Sequence, residues 1–190
     1  DEAMLIALDN LQNALSYDVD IPTQGNEIAY ALYVLARNKR ASATDLRYYS
    51  ESQLDRFASP MARAHLGAAL SLYGDQSKAD AVFDSAFGLA KTGSTLNLSR
   101  GDYGSALRDD AAMLALAAET RPVPASVPAM VEHVSALRKR ASYTSTQEDA
   151  WMLMAARAIK EGVNAINLTV NGEAHTGVYS KTVSGEDLEA

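Results

Sequence analysis

Leu5, Leu8, Leu11 and Leu15 recur at spacings of three and four, which sets them on one face of a helix. The same helical period then returns, between clear start and stop signals, for about 160 residues, and nothing constrains the fold more strongly. After the turn "DVDIPTQGN", Asn26 is placed to cap a second helix carrying Ile28, Leu32 and Leu35. Ser42 and Asp45 have capping-box spacing at the start of a third. Pro60 opens "MARAHLGAALSLYG", and Gly74 suits its end. Asp75 is placed to cap "QSKADAVFDSAFGLAK". Residues 92–104 read as loop, "SALRDDAAMLALAAET" as helix, and Pro128 opens a helix that ends near Arg140. A last helix follows Ser145, so about eight are expected.

Loops of mostly two to eight residues make consecutive helices antiparallel neighbours, so the fold class is mainly α, built of helical hairpins. The 34 alanines favour helix and close helix–helix approach. After Gly162 the period changes. Ile166, Leu168 and Val170 alternate with Asn167 and Thr169, and Asn171–Gly172 is a hairpin turn signal. So short a β segment cannot fold alone. Residues 1–162 therefore read as a helical unit and 163–190 as the start of a β domain, with both ends reading as cuts through a longer protein.

Charge and composition exclude several function classes. A net charge of −7 without a cluster of Lys and Arg argues against nucleic acid. The basic run Arg138–Lys139–Arg140 falls where a helix C-terminus wants cations. No segment has the ~18 apolar residues of a membrane span. The absence of cysteine removes disulfides, thiolate metal sites and cysteine nucleophiles together.

No nucleophile, metal or phosphate motif emerges. His65, His133 and His175 lie in different elements. Asp109 and Asp110 are adjacent, and neighbours on a helix point about 100° apart, so the two acids do not share one site. We therefore expect no catalytic residue, no cofactor and no metal. Arg108 and Asp109 precede the apolar "AAMLALAA", where a charge is costly unless paired. They form either a solvated pair or a fixed network.

"STQED", 145–149, begins the last helix. Ser145 and Glu148 make a capping box, and Glu148 and Asp149 suit the positive helix end. Capping leaves Thr146 and Gln147 unexplained. We expect one of them to hydrogen-bond a neighbouring hairpin, and Arg108 with Asp109 to tie down a helix end. The run that follows, "AWMLMAARAI", predicts a helix buried nearly all round, with 150–159 among the most enclosed segments.

"DYGSALRDDAAMLAL" followed about 40 residues later by "STQEDAWMLMAARAI" resembles the bacterial alpha-2-macroglobulin family. "AYALYVLAR" and "ARAHLGAALSLYGDQSKADAVF" agree with it, and the likeness covers about residues 1–162, with "INLTVNGE" where the family passes into its next β domain. The resemblance implies part of an α/α toroid, the second half of the thioester domain. It also implies a periplasmic, often lipid-anchored protein whose partners are trapped proteases and the other domains of its own chain. Thioester-bearing members carry a Cys–Gln bond early in this domain. This chain has no cysteine, so either that segment lies upstream of Asp1 or the parent is a thioester-less relative. Tyr103, Gly104, Ser105, Arg108, Asp109, Ser145, Thr146, Gln147 and Glu148 carry over as motif residues with an architectural role.

Two rivals remain. Leu66, Gly67, Gly74, Ala79, Phe83 and Ala86 fit one tetratricopeptide unit, which suggests a peptide-binding scaffold, but the pattern does not recur one period away and reads as hairpin packing. A helical-barrel carbohydrate enzyme would need two converging acids, and no pair offers itself.

Overall fold

The structure, a computed structural model, describes residues 2–16, 20–93, 103–164, 167–170 and 172–177. Its elements are α1 (Glu2–Ser16), α2 (Ile21–Arg37), α3 (Ala43–Ser52), a 3-10 turn (Leu54–Arg56), α4 (Pro60–Leu72), α5 (Gln76–Thr92), α6 (Ala106–Glu119), α7 (Val127–Arg140), α8 (Thr146–Asn164), β1 (Asn167–Val170) and β2 (Glu173–Thr176). Most of the loop expected over 92–104 lies outside the described residues.

Local chemistry accounts for the boundaries. Ser42, Ser59 and Ser105 each accept a hydrogen bond from the backbone amide three residues on. Pro60 fills the first turn of α4, and beyond its end Gly74 takes φ +78, a conformation open to glycine at little cost. The hairpin pairs Val170 with Glu173 and Asn167 with Thr176, so its turn is the expected two-residue one; Gly172 has φ +89, and Asn171 lies outside the described residues.

Two cap expectations are corrected. α2 starts at Ile21, not at Asn26, because Pro22 supplies a first-turn residue and the Asp20 carbonyl accepts from Thr23 and Gln24 amides. Asn26 instead accepts a hydrogen bond from the Ser59 hydroxyl. Asp75 stands at the cap position of α5 without a side-chain cap bond, since Lys78 at 3.1 Å and Arg47 at 3.5 Å hold its carboxylate.

α2, α4, α6 and α8 form one layer, each packed on the next, while α3 and α5 lie against α4 and α7 against α6. The layer is parallel. The starts of α2 and α4 are joined by Asn26–Ser59, those of α6 and α8 by Ser105–Glu148, and the C-terminal ends of α2, α4 and α6 share one cleft. Small residues permit this packing. A side chain on Gly67 would place its Cβ 3.1 Å from the Phe83 ring, so the missing side chain lets α4 and α5 approach closely there. Ala79, Phe83 and Ala86 are wholly buried in the same contact, so the tetratricopeptide-like spacing follows from one hairpin's packing.

The most enclosed helix is α6, in which Leu107 to Ala118 are all buried. The expectation that 150–159 would be buried nearly all round is overturned. α8 turns Ala155 and Ala158 into the core and half-buries Trp151, but Leu153 is 71% exposed and Met154 44%. Its apolar run exceeds what its one close helical neighbour, α6, can cover, and no other described element closes over the far side.

Candidate functional site

The residues singled out by sequence converge where α6 and α8 begin. Ser105 precedes α6 in extended conformation, φ −132 and ψ 166, which aims its hydroxyl at the first turn. Its Oγ accepts from the Arg108 amide at 3.1 Å. Ser145 does the same for α8, accepting from the Glu148 amide at 3.3 Å, and Glu148 Oε2 accepts from the Ser145 amide at 2.6 Å. That is the reciprocal capping box the spacing predicts.

One bond goes beyond the prediction. The Ser105 hydroxyl donates to Glu148 Oε1 at 2.5 Å. Each oxygen of one carboxylate therefore serves a different helix start. The Ser105 hydroxyl holds Glu148 below the usual carboxylate range, and the Ser145 amide lowers it further, against a smaller opposing effect of burial. Sequence spacing shows each cap separately. Only the parallel layering makes them neighbours, which is why the cross-link was not foreseen.

Beneath this bridge lies the Arg108–Asp109 pair. Arg108 is 6% exposed and Asp109 1%, so the solvated reading is excluded. Arg108 folds back so that Nε and Nη2 reach Asp109 Oδ1 at 2.8 and 2.6 Å, and Nη1 donates to Gln147 Oε1 at 3.2 Å. Gln147 thus takes the role expected of it or Thr146. Thr146 is exposed and begins α8 without joining the cluster. Tyr103 does not join the cluster: it is 90% exposed, with φ +53, just ahead of Gly104.

Asp110 points elsewhere, as the 100° step requires, and meets His133 Nε2 of α7 at 3.0 Å. His65 is buried 1% exposed between the rings of Tyr30 and Tyr33, at centroid distances of 5.4 and 5.3 Å. Neither of its ring nitrogens has a hydrogen-bond partner of normal geometry. Among the described residues no three acids or histidines are placed to hold a metal ion, and no described helix is long and apolar enough to cross a membrane. What the cluster can do chemically is fix geometry. Both serine hydroxyls are committed to caps, and a carboxylate held low accepts protons poorly.

Known proteins give this arrangement a context. No family model matches the chain. Over 139 residues, 69% of the chain, it is 34% identical to an alpha-2-macroglobulin of Xylella fastidiosa (strain Temecula1 / ATCC 700964), of which it covers 8%. Over 161 residues, 85% of the chain, it is 31% identical to the alpha-2-macroglobulin of Escherichia coli (strain K12), of which it covers 9%. The fold is similar to that of Salmonella alpha-2-macroglobulin reacted with methylamine, with TM-score 0.69 and 26% identity over 93% of this chain and 12% of that one. It is also similar to Escherichia coli alpha-2-macroglobulin activated by porcine elastase, with TM-score 0.61 and 28% identity over 93% of this chain and 16% of that one. The chain spans less than a tenth of the length of these curated relatives. With both sequence and fold aligned over most of its length, the chain belongs to the bacterial alpha-2-macroglobulin family.

Proposed function

We propose that this chain is a non-catalytic part of a protease-trapping inhibitor. In this reading residues 1–162 are the later part of an α/α toroid, the domain that houses the thioester in members that have one. Residues 163–190 then open the following β domain. Proteases are its targets and other domains of the same protein its neighbours, in the periplasm. A relative activated by porcine elastase supports the link to proteases.

The carrying observation is how the helical layer ends. Leu107 to Ala118 of α6, inside the layer, are all buried, yet large apolar side chains are exposed at its two ends: Leu153 and Met154 on the edge helix α8, and Met4, Leu5 and Ile6 at 52–56% on α1, which packs against the other edge helix, α2. A layer that is closed in the middle and apolar at both edges is shaped to continue into further helices.

A trap hinders a protease by enclosure, not by blocking its active site. The longer protein mixed with trypsin should suppress cleavage of a large protein substrate while leaving cleavage of a small peptide amide intact. Equal loss of both activities, or loss of neither, would overturn the reading.

A further inference from the structure

The C-terminal ends of α2, α4 and α6 enclose a half-open cleft of about 550 Å³, at the opposite end of the layer from the linked caps. That volume lies within the range of small-ligand sites. Most polar groups there are already engaged. Arg121 donates to the Ala118 and Thr120 carbonyls at 2.7 and 2.6 Å, closing the end of α6. Three groups are not. The Tyr33 hydroxyl accepts from Arg37 Nη1 at 3.0 Å, but its own proton goes to none of the described residues. Among the described residues the Arg37 guanidinium makes that one hydrogen bond, lies over the Tyr33 ring at 5.8 Å, and has four further N–H donors. The Glu119 carboxylate has no hydrogen bond or ion pair with a described residue, although it is close enough to act electrostatically on Tyr33, Arg37 and Arg157. Between these groups the floor is apolar, made by Ala68, Leu72 and Leu116.

We infer that this cleft binds the C-terminal residue of a peptide, with an aliphatic side chain at that residue. The three unspent groups and the floor match its parts. A carboxylate takes donors from Arg37 and the Tyr33 hydroxyl, as a charge-assisted contact. Glu119 repels a bare anion but accepts from an amide N–H, which a peptide carries one residue-length from its carboxylate. The aliphatic side chain covers the floor. A free inorganic anion satisfies the first requirement only, and an internal peptide segment lacks the carboxylate.

The test uses the whole 190-residue chain and fluorescence anisotropy of a dye-labelled Gly-Ser-Gly-Ser-Ala-Leu peptide, made with a free C-terminus and as the C-terminal amide. The free acid is expected to bind at least ~10-fold tighter than the amide, because the charge-assisted contact with Arg37 is lost when the carboxylate becomes a neutral amide. Arg37→Gln should remove most of that difference. Arg37 is exposed, so the variant should fold, and an unchanged circular-dichroism melt checks this. Competition by N-acetyl-leucine but not by acetate supports recognition of the whole C-terminal residue. Equal binding of acid and amide, absence of binding by the acid, competition by acetate as strong as by N-acetyl-leucine, or an Arg37→Gln variant that binds as well as the parent would each overturn the inference. None of these outcomes bears on protease trapping, which is read with the longer protein.

Discussion

Ser105 gives its hydroxyl proton to Glu148 at 2.5 Å, so the first turn of α6 is hydrogen-bonded to the first turn of α8 through a side chain that also caps α8. The two helices start in register because one carboxylate is shared between them. The energetic signature of such sharing is non-additivity. Ser145→Ala should cost ~1 kcal/mol through the lost cap. Ser105→Ala and Glu148→Ala should each cost ~1–2 kcal/mol, since each removes a cap bond and the cross-link. The double variant should be less destabilised than the sum, with a coupling of at least ~0.5 kcal/mol in urea melts. Additive costs would mean that the two caps act independently.

The Arg108–Asp109 pair should be far more sensitive than the caps. Asp109 is 1% exposed and takes two guanidinium nitrogens. Asp109→Ala leaves Arg108 buried with its charge uncompensated on that side, and ~3–5 kcal/mol of stability should be lost. Arg108→Met, which removes the guanidinium while keeping the apolar stem, takes two charge-assisted donors from the buried Asp109 carboxylate and should cost a similar amount. Replacing both by apolar residues should recover much of the loss, because neither charge is then left alone. Chemical denaturation of the three variants measures this. A loss within ~0.5 kcal/mol for Asp109→Ala would show that the buried pair contributes nothing to holding the fold.

Which parts of this were readable in advance follows from which were local. Helix starts with a serine cap are legible where the cap and its amide show the box spacing: Ser42 and Ser145 behave as that spacing requires, whereas the caps at Ser59 and Ser105 come from the structure. The surplus of polar side chains in "STQED" was a sound pointer, and Gln147 does leave its own helix to reach Arg108. Burial is not legible where it depends on which elements lie alongside. The run 150–159 looks more enclosed than 107–118 on composition alone, yet α6 lies within the layer, between α4 and α8, whereas α8 stands at its edge. Asn26 was misread for a related reason. A cap-type residue in the first turns of a helix can serve a neighbouring helix start instead, and only the Asn26–Ser59 contact reveals that.

Acid should weaken the fold through His65. Burial, and then the charge of Arg108, push this imidazole from its ordinary value near 6.5 down to about 4, with a small opposing effect of the Met61 carbonyl. Tyr30 and Tyr33 of α2 face its ring and supply no anion. The sign is that of a base depressed on folding. The unfolded chain takes up the proton first, so this group's contribution is complete above about pH 6.5 and is lost as pH falls toward about 4. Full loss corresponds to roughly 3 kcal/mol, from ~1.4 kcal/mol for each pH unit between the two values. In melts between pH 7 and 4, His65→Phe should flatten the part of the pH dependence due to this group. A variant with the parent's slope would show that His65 titrates normally.

Glycine positions separate packing from propensity. Gly67 sits in α4 where an added Cβ would meet three carbons of the Phe83 ring at 3.1–3.3 Å. Phe83 is wholly buried and cannot swing aside without moving α5. Gly67→Ala should therefore gain the helix-forming advantage of alanine, up to ~1 kcal/mol, and lose more than that to overpacking, ~1–3 kcal/mol, for a net destabilisation. Gly88 lies in α5 with nothing within 4 Å of where its Cβ would stand. Gly88→Ala carries only the helix term and should stabilise by ~0.5–1 kcal/mol. Thermal melts of the two variants should move in opposite directions from the parent. If Gly67→Ala were also stabilising, the close contact of α4 with α5 would not be what requires glycine there.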